Sequence, residues 1–209
     1  MAHRQTQTEW ELEMSKKILH FIRHELYLEL RYLEPALSAL DARRIDGLLT
    51  FATDGVCLYF SSEPLLRVFR TNVKFLDRAY LHTVFHCLFR HLWFRGDRNE
   101  RLWNTACDIA VEYTIDALGT ACTKRILSLI RKDVYEKLKK EGQGISAAVI
   151  YRFLKDCDAE TFDALEREFF TDDHRFWPKE EAKQPFFLQA RQNWDKTARQ
   201  VTLRHSQKK

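Results

Sequence analysis

Along most of the chain, hydrophobic and polar residues follow one another with a helical period, and the few glycines and prolines mark where each run stops. Thr8 with Glu11 makes a capping-box pattern that opens a long helix, about 8–34, stopped at Glu34-Pro35. In "LLTFATDGVCLYF" two β-rich runs flank Asp54-Gly55, the signal of a hairpin with a tight turn, about 48–60. It is the only stretch with a convincing strand pattern. Asn72 caps a predicted helix over 73–95 that Gly96 closes, and Asn99 caps another over 100–118, ending before Gly119. Further helical patterns lie at about 122–140, 146–156, 159–170 and 186–203, with the loop "TDDHRFWPKEEAKQP" before the last. The expected fold class is α+β, mainly α: one helical domain over 1–209 with a single small β-hairpin.

Composition narrows the function more by exclusion than by assignment. Of the 209 residues, 45% are hydrophobic and 31% charged, enough for a substantial core without disorder. Against 30 acids the 34 lysines and arginines leave a net charge of only +4, too little to argue for nucleic acid. No apolar run reaches the roughly 18 residues of a membrane span, and the start "MAHRQTQTEWELEM" is not a secretory signal, so a cytoplasmic protein is expected. Cys57, Cys87, Cys107, Cys122 and Cys157 are odd in number and lack C-x-x-C spacing, which reads as small core residues in a reducing compartment.

The candidate chemistry begins with "YLHTVFHCLFRHLW". An H-E-x-x-H helix presents two imidazoles one turn apart to zinc and a glutamate to take a proton from water. Here His82 and His86 keep the spacing, but Thr83 stands in the glutamate's place. His20 and His24 share the spacing too, and serve as a control. They lie on a polar face with Glu13, Lys16 and Arg31, and read as solvated. By contrast, His82 and His86 sit among Phe75, Ala79, Phe85, Phe89 and Trp93 on a helix apolar nearly all round. An unsatisfied buried imidazole costs on the order of 1–3 kcal/mol, so this pair needs a metal or carboxylates. On the same wheel His91 falls opposite His82 and cannot join it on one ion unless the helix is distorted.

In "LWNTACDIAVEYTID" the residues Asn104, Asp108, Glu112 and Asp116 form one stripe at four-residue steps. Three carboxylates so spaced repel unless a cation is near, and an antiparallel pairing of the two helices would turn them toward the imidazoles. Two histidines and one carboxylate make the donor set of hydrolytic Zn2+ sites. In one assignment His82, His86 and Asp108 are the ligands and Glu112 is the base that Thr83 cannot be. In the other, Glu112 is the ligand and Asp116 orients a histidine. His174, beside two aspartates in a loop, is expected either to donate to an oxyanion or to close the site as a fourth ligand. The hairpin edge is a candidate for adding an extended peptide.

"YLHTVFHCLFRHLWFRG" followed by "RLWNTACDIAVEYTID" resembles the bacterial metallopeptidase domain that often precedes a von Willebrand factor A-like domain. That family's pattern is H-E-x-x-H, a third histidine five residues on, and W-N-x-A-x-D. His82, His86 and His91 match it, as do Trp103, Asn104, Ala106 and Asp108; "DDHRFW", with Asp172, Asp173, His174 and Trp177, is similar to a later family segment. The resemblance implies a zincin-like fold, a zinc-dependent peptidase acting on peptide or protein, and the company of an AAA+ ATPase and a von Willebrand factor A-like protein. Thr83 in place of the glutamate bears against the peptidase activity but not against the metal, and a catalytically inactive metal-binding module acting through partners is the alternative.

Overall fold

The computed structural model describes residues 5–140, 144–178 and 185–207. Helix α1, Gln7–Glu29, starts at a capping box, but one built by Thr6 and Glu9, two residues before the expected pair. Thr6 Oγ1 accepts from Glu9 N at 3.2 Å and Glu9 Oε2 accepts from Thr6 N at 2.8 Å, so both orphan donors are met. The helix also ends earlier than expected. Leu30 leaves helical geometry, a 3-10 turn follows, and Pro35 lies in the first turn of the short helix α2, Glu34–Leu37, where its missing N–H costs nothing. Ile18, Leu19, Ile22 and Leu26 bury one face of α1, while His20 and His24 stay exposed.

The sheet has three strands, β1 Asp41–Arg44, β2 Ala52–Thr53 and β3 Cys57–Phe60, in the order β1-β3-β2. The Asp54-Gly55 hairpin forms between β2 and β3, with Ala52 opposite Tyr59 and Thr53 opposite Leu58. Asp54 Oδ1 accepts from Val56 N and Cys57 N, each at 2.8 Å, closing the turn. Gly55 is required twice over: its φ is +88°, and a Cβ there would lie 2.6 Å from the Trp93 ring. The parallel strand β1 was not expected. Its "DARR" has no apolar alternation because the strand is held by backbone bonds to β3 and faces solvent.

After the sheet come α3, Ser62–Thr71, a helix that was not expected, and α4, Val73–Leu88. Asn72 caps α4 as predicted, its side chain accepting from Phe75 N at 3.2 Å. The helix stops seven residues short of position 95, however, because Arg90 turns left-handed (φ 63°) and a 3-10 turn, His91–Trp93, carries the chain away. Helix α5, Glu100–Leu118, has both predicted ends, Asn99 accepting from Leu102 N at 3.0 Å and Gly119 left-handed (φ 64°). Helix α6 spans Leu129–Lys140, later in its start than the pattern implied, followed by α7 Ala147–Lys155, α8 Ala159–Phe169 and α9 Pro185–Ser206.

Every residue of α4 from Leu76 to Cys87 is buried, as its all-round apolar pattern requires, with α1, α3, α5 and α9 packed about it. One hydrophobic cluster runs from Ile18 through Leu81, Val84, Ile109 and Ile150 to Trp194. The architecture is therefore mainly helical α+β. Among the described residues no helix is long and apolar enough to cross a membrane. Four of the five cysteines are buried and all five are free; burial pushes every one of these thiols above its ordinary range, which makes each a poor nucleophile.

Candidate metal centre

Helices α4 and α5 run antiparallel, and their polar residues meet in register. Arg78 reaches Asp116, His82 reaches Glu112 and Asp108, and His86 reaches Asp108, so one helix ascends in four-residue steps as the other descends. The acidic stripe on α5 thus points inward, toward α4. Glu112 is fully buried, and Asp108 retains 7% exposure.

The second half of the site comes from the loop after α8. Asp173 pairs with Ala52 on the free edge of β2, Asp173 N donating to Phe51 O at 2.8 Å, and Thr50 Oγ1 donates to Thr171 O at 2.7 Å. Pinned as an extended segment, 172–174 presents alternate side chains to opposite faces. Asp172 and His174 therefore turn together to the interior, while Asp173 turns to Arg175, whose Nε it accepts at 2.9 Å. At Ala52 this same pairing occupies the edge that was a candidate for adding an extended peptide.

Five donor atoms converge, one each from His82, His86, Asp108, Asp172 and His174, all within 4.8 Å of one another. His82 Nε2 and His86 Nε2 are 2.7 Å apart, and each is 3.3 Å from Asp108 Oδ1. His174 Nε2 lies 3.1 Å from Asp108 Oδ1 and 2.9 Å from Asp172 Oδ1. Despite that last short distance, His174 Nε2 and Asp172 Oδ1 are both buried without a hydrogen-bond partner among the described residues. Two polar atoms so close yet misaligned for a hydrogen bond are aimed at a shared point, as the donors of a cation are. The residues present fit a divalent metal.

Charge supports the same conclusion. Burial opposes ionisation of His82, but Asp172, Asp108 and Glu112 outweigh it and push the ring up to about 9; His174, beside Asp108 and Asp172, is pushed up to about 10. Burial holds His86 down at about 4. Although burial alone would raise Asp108, the rings of His174, His82 and His86 keep it well below the usual carboxylate range. The carboxylates of the centre thus favour the protonated form of two of its rings, a positive charge that a divalent ion could replace.

Glu112, expected near a reacting water, is placed behind His82 instead. Its Oε1 accepts from His82 Nδ1 at 2.9 Å, and Oε2 accepts from Arg78 Nε at 2.8 Å and Arg131 Nη1 at 2.5 Å. These cationic neighbours hold it ionised against its burial. Asp116 lies behind the arginines, 2.6 Å from Arg78 Nη2, and touches no imidazole of the cluster. Neither Arg78 nor Arg131 was expected in this network, though Arg78 stands four residues before His82 on the same stripe. Thr83 Oγ1 shares its proton between Asp172 Oδ2 at 2.9 Å and the Ala79 carbonyl one turn back at 3.0 Å. His91 contacts His86 but is not among the five converging donors.

A mainly helical scaffold gathering three imidazoles and two carboxylates in a nearly dry centre has the makings of a metal-binding protein of the hydrolase class. The chain belongs to the family described as "Putative metallopeptidase domain", whose model matches residues 19–180 and so includes all five donors. No curated protein and no solved structure matches the chain significantly.

Proposed function

We propose that the chain is a zinc-dependent hydrolase acting on peptide bonds. In this reading His82, His86 and Asp108 hold the ion, Asp172 accepts the proton of the attacking water, and His174 donates a hydrogen bond to the oxygen that gains charge. The observation that carries it is the 2.9 Å bond from Thr83 Oγ1 to Asp172 Oδ2. An H-E-x-x-H helix would have its glutamate at position 83; here the hydroxyl at that position leans on a carboxylate delivered by another segment. The site therefore regains the carboxylate its helix lacks.

A divalent ion bound there would act as a Lewis acid on a carbonyl and lower the pKa of water. Asp172 keeps Oδ2 on Thr83 and turns Oδ1 to the centre, where it can take a proton. Glu112 accepts from His82 Nδ1 and so leaves the Nε2 lone pair to face the ion. The side chains of Asp108 and His174 are 9% and 8% exposed while those of His82, His86 and Asp172 are 0% exposed, which makes the Asp108–His174 side the approach for substrate. Nitrogen and carboxylate donors together favour Zn2+ over Mg2+ or Ca2+.

The test is turnover of a mixed-peptide library by metal-loaded protein. Asp172→Asn is expected to retain one ion per chain and lose about 10²–10⁴-fold in rate, the usual contribution of a positioned base. A second reading, a non-catalytic metal-binding module working through protein partners, is favoured by the near-complete burial of all five donors, since hydrolysis needs an open coordination position. Full metal content with no turnover in the unsubstituted protein would select it.

A further inference from the structure

His91 is the third histidine of the motif, is 6% exposed, and has no part in the proposed chemistry. A continuous helix would carry it about 140° round from His86, out of reach. Instead α4 ends at Leu88, Arg90 adopts φ 63°, and the 3-10 turn folds His91 back beneath the helix end. There its Nδ1 lies 3.0 Å from His86 Nδ1. Trp103 Nε1 donates to the His91 carbonyl at 3.2 Å, and the ring stands edge-on to Trp103 and Phe89. Three contacts from outside the turn thus hold one imidazole against the back of another.

From this arrangement we infer that His91 is a positioning residue for His86, not a metal ligand: its Nδ1 accepts a hydrogen bond from His86 Nδ1, which leaves His86 Nε2 unprotonated and facing the centre. The direction of that bond follows once His86 Nε2 is taken as a donor to the ion. His86 Nε2 lies 2.7 Å from His82 Nε2 and 3.3 Å from Asp108 Oδ1, inside the donor cluster, and serves as a donor to an ion only if the ring's proton is on Nδ1. A nitrogen 3.0 Å from that N–H must then present a lone pair, so His91 carries its own proton on Nε2. The two histidines of the helix are oriented by unlike partners, His82 by the carboxylate Glu112 and His86 by a neutral imidazole. The third imidazole of the centre is His174, more than eighty residues later in the chain.

This inference rests on the reading of the centre as a metal site, and two readouts keep the two apart. The first is long-range ¹H–¹⁵N NMR of the histidine rings at neutral pH, which needs no metal. It should show His86 protonated on Nδ1 and His91 on Nε2. The second is Zn2+ affinity by competition with a chromophoric chelator. His91→Phe should weaken binding about 10–100-fold, as loss of a ligand's hydrogen-bond partner does, while His91→Asn, whose Oδ1 replaces Nδ1 as acceptor, should recover most of it. Unchanged affinity in His91→Phe would overturn the inference. So would equal losses in the Asn and Phe variants, which would mark a packing role, or a loss as complete as that of His82→Ala in both, which would mark a ligand. The stated tautomers in a protein that takes up no metal would uphold the pairing and remove the metal reading instead.

Discussion

At the scale of single residues, the site is a competition between protons and a cation for the same atoms. His82 and His174 are pushed up to about 9 and about 10 by the carboxylates around them, so at neutral pH in the absence of an ion both rings are protonated. A divalent ion on His82 Nε2 would displace a proton, and one that also engaged His174 would displace a second. Because the folded pKa values are raised, those protons are tightly held below about pH 9, and apparent metal affinity must rise with pH up to that range. Calorimetry of Zn2+ binding at pH 7 in buffers of different ionisation enthalpy should record release of one to two protons per ion, with affinity about tenfold or more higher at pH 8 than at pH 7. Binding without proton release would contradict this charge balance.

At the scale of elements, the α4–α5 pair is a ladder in which each rung joins opposite charges or a ring and a carboxylate. Its middle rung is the most exposed to perturbation, because Glu112 neutralises two arginines, Arg78 and Arg131, whose side chains are 5% and 0% exposed. Removing one charge of such a buried group leaves the others uncompensated. Glu112→Gln, which keeps the shape, should cost about 3–5 kcal/mol, which for a chain this size lowers the thermal midpoint by roughly 6–20 °C. An unchanged midpoint would show that the arginines find other partners. Much of this pair was legible in advance: the caps Asn72 and Asn99, the nearly all-round apolar wheel around His82 and His86, and the like-charged stripe that needed a cation. The break after Leu88 was not, since Arg90 adopts its left-handed turn without the glycine or asparagine that usually announces one.

Over the whole molecule, three segments far apart in sequence are drawn to one point. Helix α4 brings His82 and His86, α5 brings Asp108, and the extended 172–174 segment brings Asp172 and His174. The first two contributions follow from local periodicity, which is why His82, His86 and Asp108 stood out in the sequence. The third depends on a tertiary event, the pairing of Asp173 with Ala52 across more than a hundred residues. No local pattern in "DDHRFW" tells a solvated loop from a strand-like segment with period two, and only the family resemblance drew notice to Asp172. The same long-range dependence hid β1, which is polar and paired through its backbone with β3. The α+β class, by contrast, was readable from one hairpin and many helical runs.

Whether these three segments close round one cation is decided by anomalous diffraction at the zinc edge on crystals of protein loaded with Zn2+. One strong peak is expected about 2.0–2.2 Å from His82 Nε2, His86 Nε2 and an Asp108 oxygen, with Asp172 and His174 beside it and His91 outside the coordination sphere. A peak elsewhere, such as at His20 and His24, or no peak between α4 and α5 at full zinc exposure, would contradict the metal reading.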